Sequence, residues 1–401
     1  MIRNPWTRVL LSAGVISAGS VLMAEEAEQH PVVSALQSTT ISGYVDTSFI
    51  WLFGTGTELP GRSFDGSEKQ NGFNLNVASI ALEKPLDDGN WAAGYRAQLL
   101  FGPDARTLSL QSPWGGDSSG EVAIKNAYVS LRAPIGNGLE FKAGVFDTVV
   151  GYEVFESGNN PNYSRSYGYY IEPITHTGVL ASYELTPWLS VNGGVANGVS
   201  DRSLLNRAND RAGYWRNQGE GGTSWEMGQG LMTYLGSVAL TAPSSMGFLE
   251  GATLYGGIVD TGIGNDGIGT KDVINLYAGL TVPTPITQVS LGVAYDYQAN
   301  GMFDDSYANA LGGYLTWQMT QKLRFNARGE YATGSAGAFG TATGEGAELF
   351  GLTGTLDYSL WAHAITRLEF RWDNDLSGKG VFLDGTKDNA ISLALNVIYK
   401  F

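Results

Sequence analysis

The sequence predicts an all-β fold: a transmembrane antiparallel up-and-down β-barrel of about 16 strands, with roughly 14 to 18 compatible with the pattern. Three observations carry this expectation. The N-terminus has the order of a secretory signal, and no later segment is apolar enough to cross a membrane as a helix. Alternation of period two runs from Ser38 to Phe401. Connections between the alternating segments switch regularly between short and long.

The chain has 401 residues, of which 43% are hydrophobic and only 16% charged. Soluble domains usually carry about 25% charged residues. The deficit suits a wall that meets lipid, where every second residue of a spanning strand must be apolar or small. Cysteine is absent, which removes disulfide, thiolate and iron–sulfur chemistry. The net charge of −15 argues against nucleic acid as a partner, because phosphate binding needs a basic footprint.

Arg3 and Arg8 give a positive start, Val9 to Ala18 is apolar or small, and Ala24 precedes the acidic Glu25-Glu26. Residues 1–24 are therefore expected to be a signal peptide, residues 25–37 a periplasmic linker, and residues 38–401 the barrel. A membrane-embedded chain without a spanning helix must close its backbone hydrogen bonds in a barrel.

Alternation places the first strand at 38–52, with Ile41, Val45, Phe49 and Trp51 on one face and Ser42, Tyr44, Asp46 and Ser48 on the other. Further strands are expected at 71–84, 90–101, 122–133, 139–148, 174–186, 188–198, 227–242, 249–260, 272–283, 285–298, 306–319, 323–333, 347–361, 364–375 and 389–401. The second, fourth and eighth give no clear phase. The last puts Ile391, Leu393, Leu395, Val397, Tyr399 and Phe401 on one face and ends on an aromatic residue. Leu395, Val397, Tyr399 and Phe401 resemble the C-terminal strand by which outer-membrane proteins are recognised during barrel assembly. Short turns such as 134–138 and long loops such as 149–173 match the periplasmic and extracellular ends of such barrels.

Two strands carry charges opposite an apolar face. Within 323–333, Arg324, Arg328 and Glu330 oppose Leu323, Phe325 and Tyr331. Within 364–375, Arg367, Glu369, Arg371 and Asp373 oppose Leu368, Phe370 and Trp372. Unpaired charges cannot sit in a dry core, so these predict a polar, hydrated interior.

The most distinctive stretch is Asp147 to Gly178. Gly151, Glu153, Asn160, Ser164, Ser166, Pro173, His176 and Gly178, flanked by Asn126–Arg132 and Phe141–Asp147, resemble the signature of the OmpL-like beta-barrel porin-2 family. The resemblance is specific over about 122–186 and implies a porin-like barrel without naming a solute.

This stretch contains the third long loop, which in general porins folds inward and narrows the pore. Asp147, Glu153, Glu156 and Glu172, with Arg165, are then expected to face the arginines Arg324, Arg328, Arg367 and Arg371 across an eyelet, with His176 near the rim. Acid opposite arginine would set up a transverse field that sorts ions. Acidic loops favour cations at the mouth and the arginine wall favours anions inside, with the balance expected to favour cations.

The expected function is passive diffusion of small hydrophilic solutes or ions. A substrate-selective channel is the first alternative and would need a cluster of lumen aromatics. A non-conducting barrel whose loops bind partners is the second. Ser164 or Ser166, His176 and Glu172 could be drawn as a catalytic triad, but no nucleophile-elbow context accompanies them, and no enzyme is expected. With only three histidines, neither a metal site nor a cofactor is expected. Expected partners are outer-membrane lipids including lipopolysaccharide, the barrel-assembly machinery, and further copies of the chain as a homotrimer.

Overall fold

A computed structural model describes residues 38–53, 71–109, 120–199, 232–263, 271–301, 303–340, 346–382 and 386–401. The expected signal peptide and linker lie outside these residues.

Sixteen antiparallel strands close into one barrel in chain order. They are β1 (Thr40–Leu52), β2 (Gly72–Lys84), β3 (Ala93–Phe101), β4 (Val122–Ala133), β5 (Leu139–Asp147), β6 (Thr175–Thr186), β7 (Leu189–Asn197) and β8 (Met232–Thr241). The second half comprises β9 (Thr253–Thr261), β10 (Val273–Pro283), β11 (Val289–Ala299), β12 (Tyr307–Gln318), β13 (Leu323–Gly334), β14 (Ala347–Trp361), β15 (Ala364–Asp375) and β16 (Asn389–Lys400). β1 pairs with β16 from Tyr44–Lys400 to Leu52–Ser392, which leaves no free edge.

Exposure follows the alternation. In β16, Leu395, Val397 and Tyr399 are exposed, whereas Ser392, Ala394, Asn396 and Ile398 are buried. The apolar residues are the exposed ones because hydrocarbon, not water, covers the outer wall. Gly43 N donates to Phe401 O and Phe401 N to Gly43 O, so the final residue is stitched into the first strand.

Two strands without a clear phase contain β-bulges. Asp46 pairs with Val77 and Thr47 with Leu75, so Asn76 is an extra residue in β2. Gln98 pairs with Asn126 and Leu99 with Ile124, so Lys125 is extra in β4. Each bulge places two successive buried residues, Asn76-Val77 and Lys125-Asn126, and so breaks the period. β8 is regular, but Leu235 and Ala239 are apolar on its inner face, so polarity does not distinguish its sides.

Some boundaries shift at the short turns. β9 begins at Thr253 rather than 249, because the turn is closed by Ala242 N to Ala252 O and uses positive φ at Gly247 and Gly251. β11 begins at Val289 rather than 285, because the Thr284 hydroxyl accepts from Ile286 N and holds a turn there.

Candidate functional site

Residues 148–174 join β5 to β6 and lie against inward-facing side chains of β1, β11 and β13–β16. The segment braces itself first. Gly151 has φ +110°, a conformation open to glycine. The Asn160 side chain accepts from Val154 N at 2.8 Å and donates to Val154 O at 2.6 Å. The Ser166 hydroxyl caps the short helix Tyr167–Ile171 by accepting from Tyr169 N. Arg165 donates to Tyr163 O and Phe155 O, drawing the two limbs together.

An irregular segment that is buried must find partners for its peptide groups. Here the charged wall supplies them. On β15, Arg367 donates to Ser157 O at 2.8 Å and Asn160 O at 2.9 Å. Two residues on, Glu369 accepts from Tyr163 N at 2.5 Å and Ser164 N at 2.9 Å. Two further, Arg371 donates to Arg165 O at 2.5 Å, and Asp373 then accepts from the Tyr167 hydroxyl at 2.8 Å. Alternating donors and acceptors about 7 Å apart along one strand face thus match successive peptide groups of the loop.

β13 supplies the second row. Arg328 donates to Glu153 at 2.8 Å, to Glu330 at 2.7 Å and to Ser164 O at 2.8 Å. Glu330 also accepts from Tyr167 N, and the Glu153 carboxylate from Ser166 N. Arg328 and Glu153 are both 0% exposed at their side chains. Arg324 and Arg367 share Asp357, at 2.6 and 3.3 Å.

Of the acids expected to face the arginines across an open eyelet, Glu153 touches Arg328 directly, whereas Glu156 approaches Lys125 and Glu172 meets Asp296; the other arginines pair with acids of the wall itself. The reason is charge balance: each guanidinium has a carboxylate or carbonyl within hydrogen-bond distance, and burial without one would be prohibitive.

Beside the helix, the Glu172 and Asp296 carboxyl groups hydrogen-bond to each other. A Cβ on Gly151 would overlap the Glu172 carboxylate, and one on Gly168 would overlap that of Asp296. These two glycines therefore let the acids meet. Burial first, and Asp296 second, push Glu172 well above the usual carboxylate range. Asn275 and Gln298 donate to Ile171 O and close the helix C-terminus. His176 is buried beside Phe146, with its Nε2 3.0 Å from the Thr148 hydroxyl, so it braces the loop's root.

Away from the charged wall, a cavity of about 720 Å³ remains between the loop and β3–β10. Its lining includes Lys125, Tyr128, Arg132, Glu140, Lys142, Asp147, Tyr152, Glu156, Ser182, Asn192, Tyr255 and Tyr277. Of the expected eyelet residues, Glu153, Glu156 and Glu172 border it, whereas Arg324, Arg328, Arg367 and Arg371 do not. The bulged Lys125 bonds Asp147 and lies 3.8 Å from Glu156.

A family model for beta-barrel porin-2, OmpL-like proteins matches residues 38–401. The chain belongs to this family. It is an outer-membrane β-barrel porin. Solved structures repeat the fold at low identity. The outer membrane channel DcaP of Acinetobacter baumannii matches with TM-score 0.57 and 11% identity, over 90% of this chain and 97% of that one. OmpF of Salmonella typhi, solved with daunomycin, matches with TM-score 0.59 and 12% identity, over 90% and 97%. An anion-selective porin from Comamonas acidovorans gives TM-score 0.54 and 12% identity, over 91% and 99%. No curated protein matches the chain.

Sequence reasoning missed the tyrosines and lysines of this porin's cavity. The bulge at Lys125 hides its inward direction, and Tyr128, Tyr255 and Tyr277 resemble girdle residues until their strand phase is known. One signal was present. Arg367, Glu369, Arg371 and Asp373 alternate in sign, which suits internal pairing better than a field of one sign.

Proposed function

We propose that the porin passes small hydrophilic solutes and ions by passive diffusion through a water-filled lumen narrowed by residues 148–174. The observation that carries this reading is the 720 Å³ cavity left between the docked loop and a polar wall. A volume of this order accommodates small solutes. The loop's dense anchoring supports a fixed constriction rather than a mobile flap. Glu153, Glu156 and Glu172 border the narrowed space in this reading; Arg165, Arg328, Glu330, Arg367, Glu369, Arg371 and Asp373 hold the loop that defines it, and Arg324 shares Asp357 with Arg367.

Planar-bilayer reconstitution tests the proposal: discrete conductance steps proportional to salt concentration are expected, and a silent protein would refute it. A second reading, a substrate-selective channel, is favoured by Tyr128, Tyr152, Tyr255 and Tyr277 around the cavity. Saturable blockade of the current by one class of solute would establish it over general diffusion.

We extend the proposal to export and assembly. Residues 1–24 act as the cleaved signal, and Leu395, Val397, Tyr399 and Phe401 present the assembly strand. The barrel sits among lipopolysaccharide and other lipids as a homotrimer. OmpT of Vibrio cholerae, a structural match at TM-score 0.54, was solved in a trimer form. N-terminal sequencing of the mature protein and its mass in mild detergent check these points.

A further inference from the structure

The charged side chains bordering the cavity differ in one respect: whether a counter-charge already holds them. Arg132 pairs with Glu140 at 2.6 Å, and Lys125 pairs with Asp147 and approaches Glu156. Lys142, near the middle of β5, has no ion pair and no hydrogen bond among the described residues. Its Nζ lies 5.2 Å from the centre of the Tyr128 ring, an attraction a passing anion can compete with. Ser130 stands opposite Lys142 in register, borders the same cavity, and makes no side-chain hydrogen bond among the described residues.

The carboxylates that act on Lys142 are Asp147, Glu140 and Glu83. Each is taken by another cation: Lys125, Arg132 and Arg96 respectively. Lys84 also lines the cavity without an ion pair, but it closes β2 at the rim, beside the acidic turn residues Asp87 and Asp88. In the waist, the uncompensated charge belongs to Lys142.

We propose that Lys142 is the anion-contact residue of the lumen. A small monovalent anion, chloride or a short carboxylate, meets its ammonium and the Ser130 hydroxyl as it passes the docked loop. Contact is transient because the cavity is open and hydrated, so the effect is on permeability ratio rather than on tight binding. The inference rests on the channel reading above.

The test compares wild type, Lys142→Gln, Lys142→Glu and Lys84→Gln in planar bilayers. Reversal potentials are measured in gradients of potassium chloride and of potassium acetate. A unit charge about 6 Å from the ion path in water changes the permeability of each ion about threefold, in opposite directions for anion and cation, and so changes their ratio about tenfold. Lys142→Gln should therefore lower the ratio about tenfold and Lys142→Glu about a hundredfold, with Lys84→Gln nearly silent. A shift with chloride alone would confine the contact to halide, and a shift with both extends it to carboxylates. Liposome swelling with a neutral sugar, unchanged across the variants, shows that the pore itself is intact. A conducting wild type whose reversal potential does not move in Lys142→Gln overturns the assignment. So does an equal shift in Lys84→Gln, which would place the effect at the rim. A silent wild type refutes the channel reading instead.

Discussion

Replacing Arg328 by alanine removes the centre of the loop's anchorage. The guanidinium touches Glu153, Glu330, Ser164 O and the Ser164 hydroxyl, all buried. Its loss leaves two carboxylates in a dry site with diminished compensation, a perturbation of about 3–5 kcal/mol for a broken buried pair. The barrel does not share that cost, because β13 keeps its ladders to β12 and β14. The strain is expected to fall on the loop, whose docked fraction drops by roughly two to nearly four powers of ten relative to undocked. Protease cleavage within residues 148–174 reads that fraction when opening is fast compared with cutting. Cleavage in lipid should accelerate in Arg328→Ala, with larger and noisier single-channel currents, while heat-modifiable migration of the barrel persists. Adding Glu153→Gln should recover part of the protection, because one of the orphaned charges is gone. Equal cleavage and equal conductance in wild type and Arg328→Ala would refute the claim that the charged wall holds the loop.

Three further outcomes follow from the same contacts. Glu172, raised by burial and by Asp296, keeps its proton to higher pH when docked than when released, where it ionises near its ordinary 4.5. Docking is therefore strongest below that value and weakens as pH rises through the docked pKa. Cleavage of the loop should increase over that rise, and Glu172→Gln should flatten the profile. Gly151→Ala combines a positive φ with overlap on Glu172 and should loosen the loop by about 1–3 kcal/mol, read by the same protease assay. Phe401→Ala, or Gly43→Val, which drives a side chain into the Phe401 ring, should lower the folded fraction in the outer membrane, measured by heat-modifiability.

The strand ladder was legible because a lipid-facing wall enforces period two wherever pairing is regular. β4, β14 and β15 begin and end where alternation places them. It failed where the backbone departs from that period. The extra residues Asn76 and Lys125 flip the phase of β2 and β4 partway along. Alternation also says which face a side chain takes but not what occupies the space in front of it. Arg371 was legible as inward, yet whether it meets water or a peptide carbonyl depends on where a loop some 200 residues earlier comes to rest.

The docking direction decides which wall remains for solutes. Residues 148–174 satisfy many of their peptide groups on β13 and β15, where arginine and acid stand on successive inward positions. Having settled there, the loop leaves the cavity against β3–β10, and that wall carries tyrosines, serines and a lysine without a counter-ion. The richest charge pattern in the sequence thus serves to hold the loop. If, as proposed, the sparser wall opposite is the surface a solute meets, selectivity should respond more to one charge at Lys142 than to the exchange of a paired arginine that keeps the loop docked.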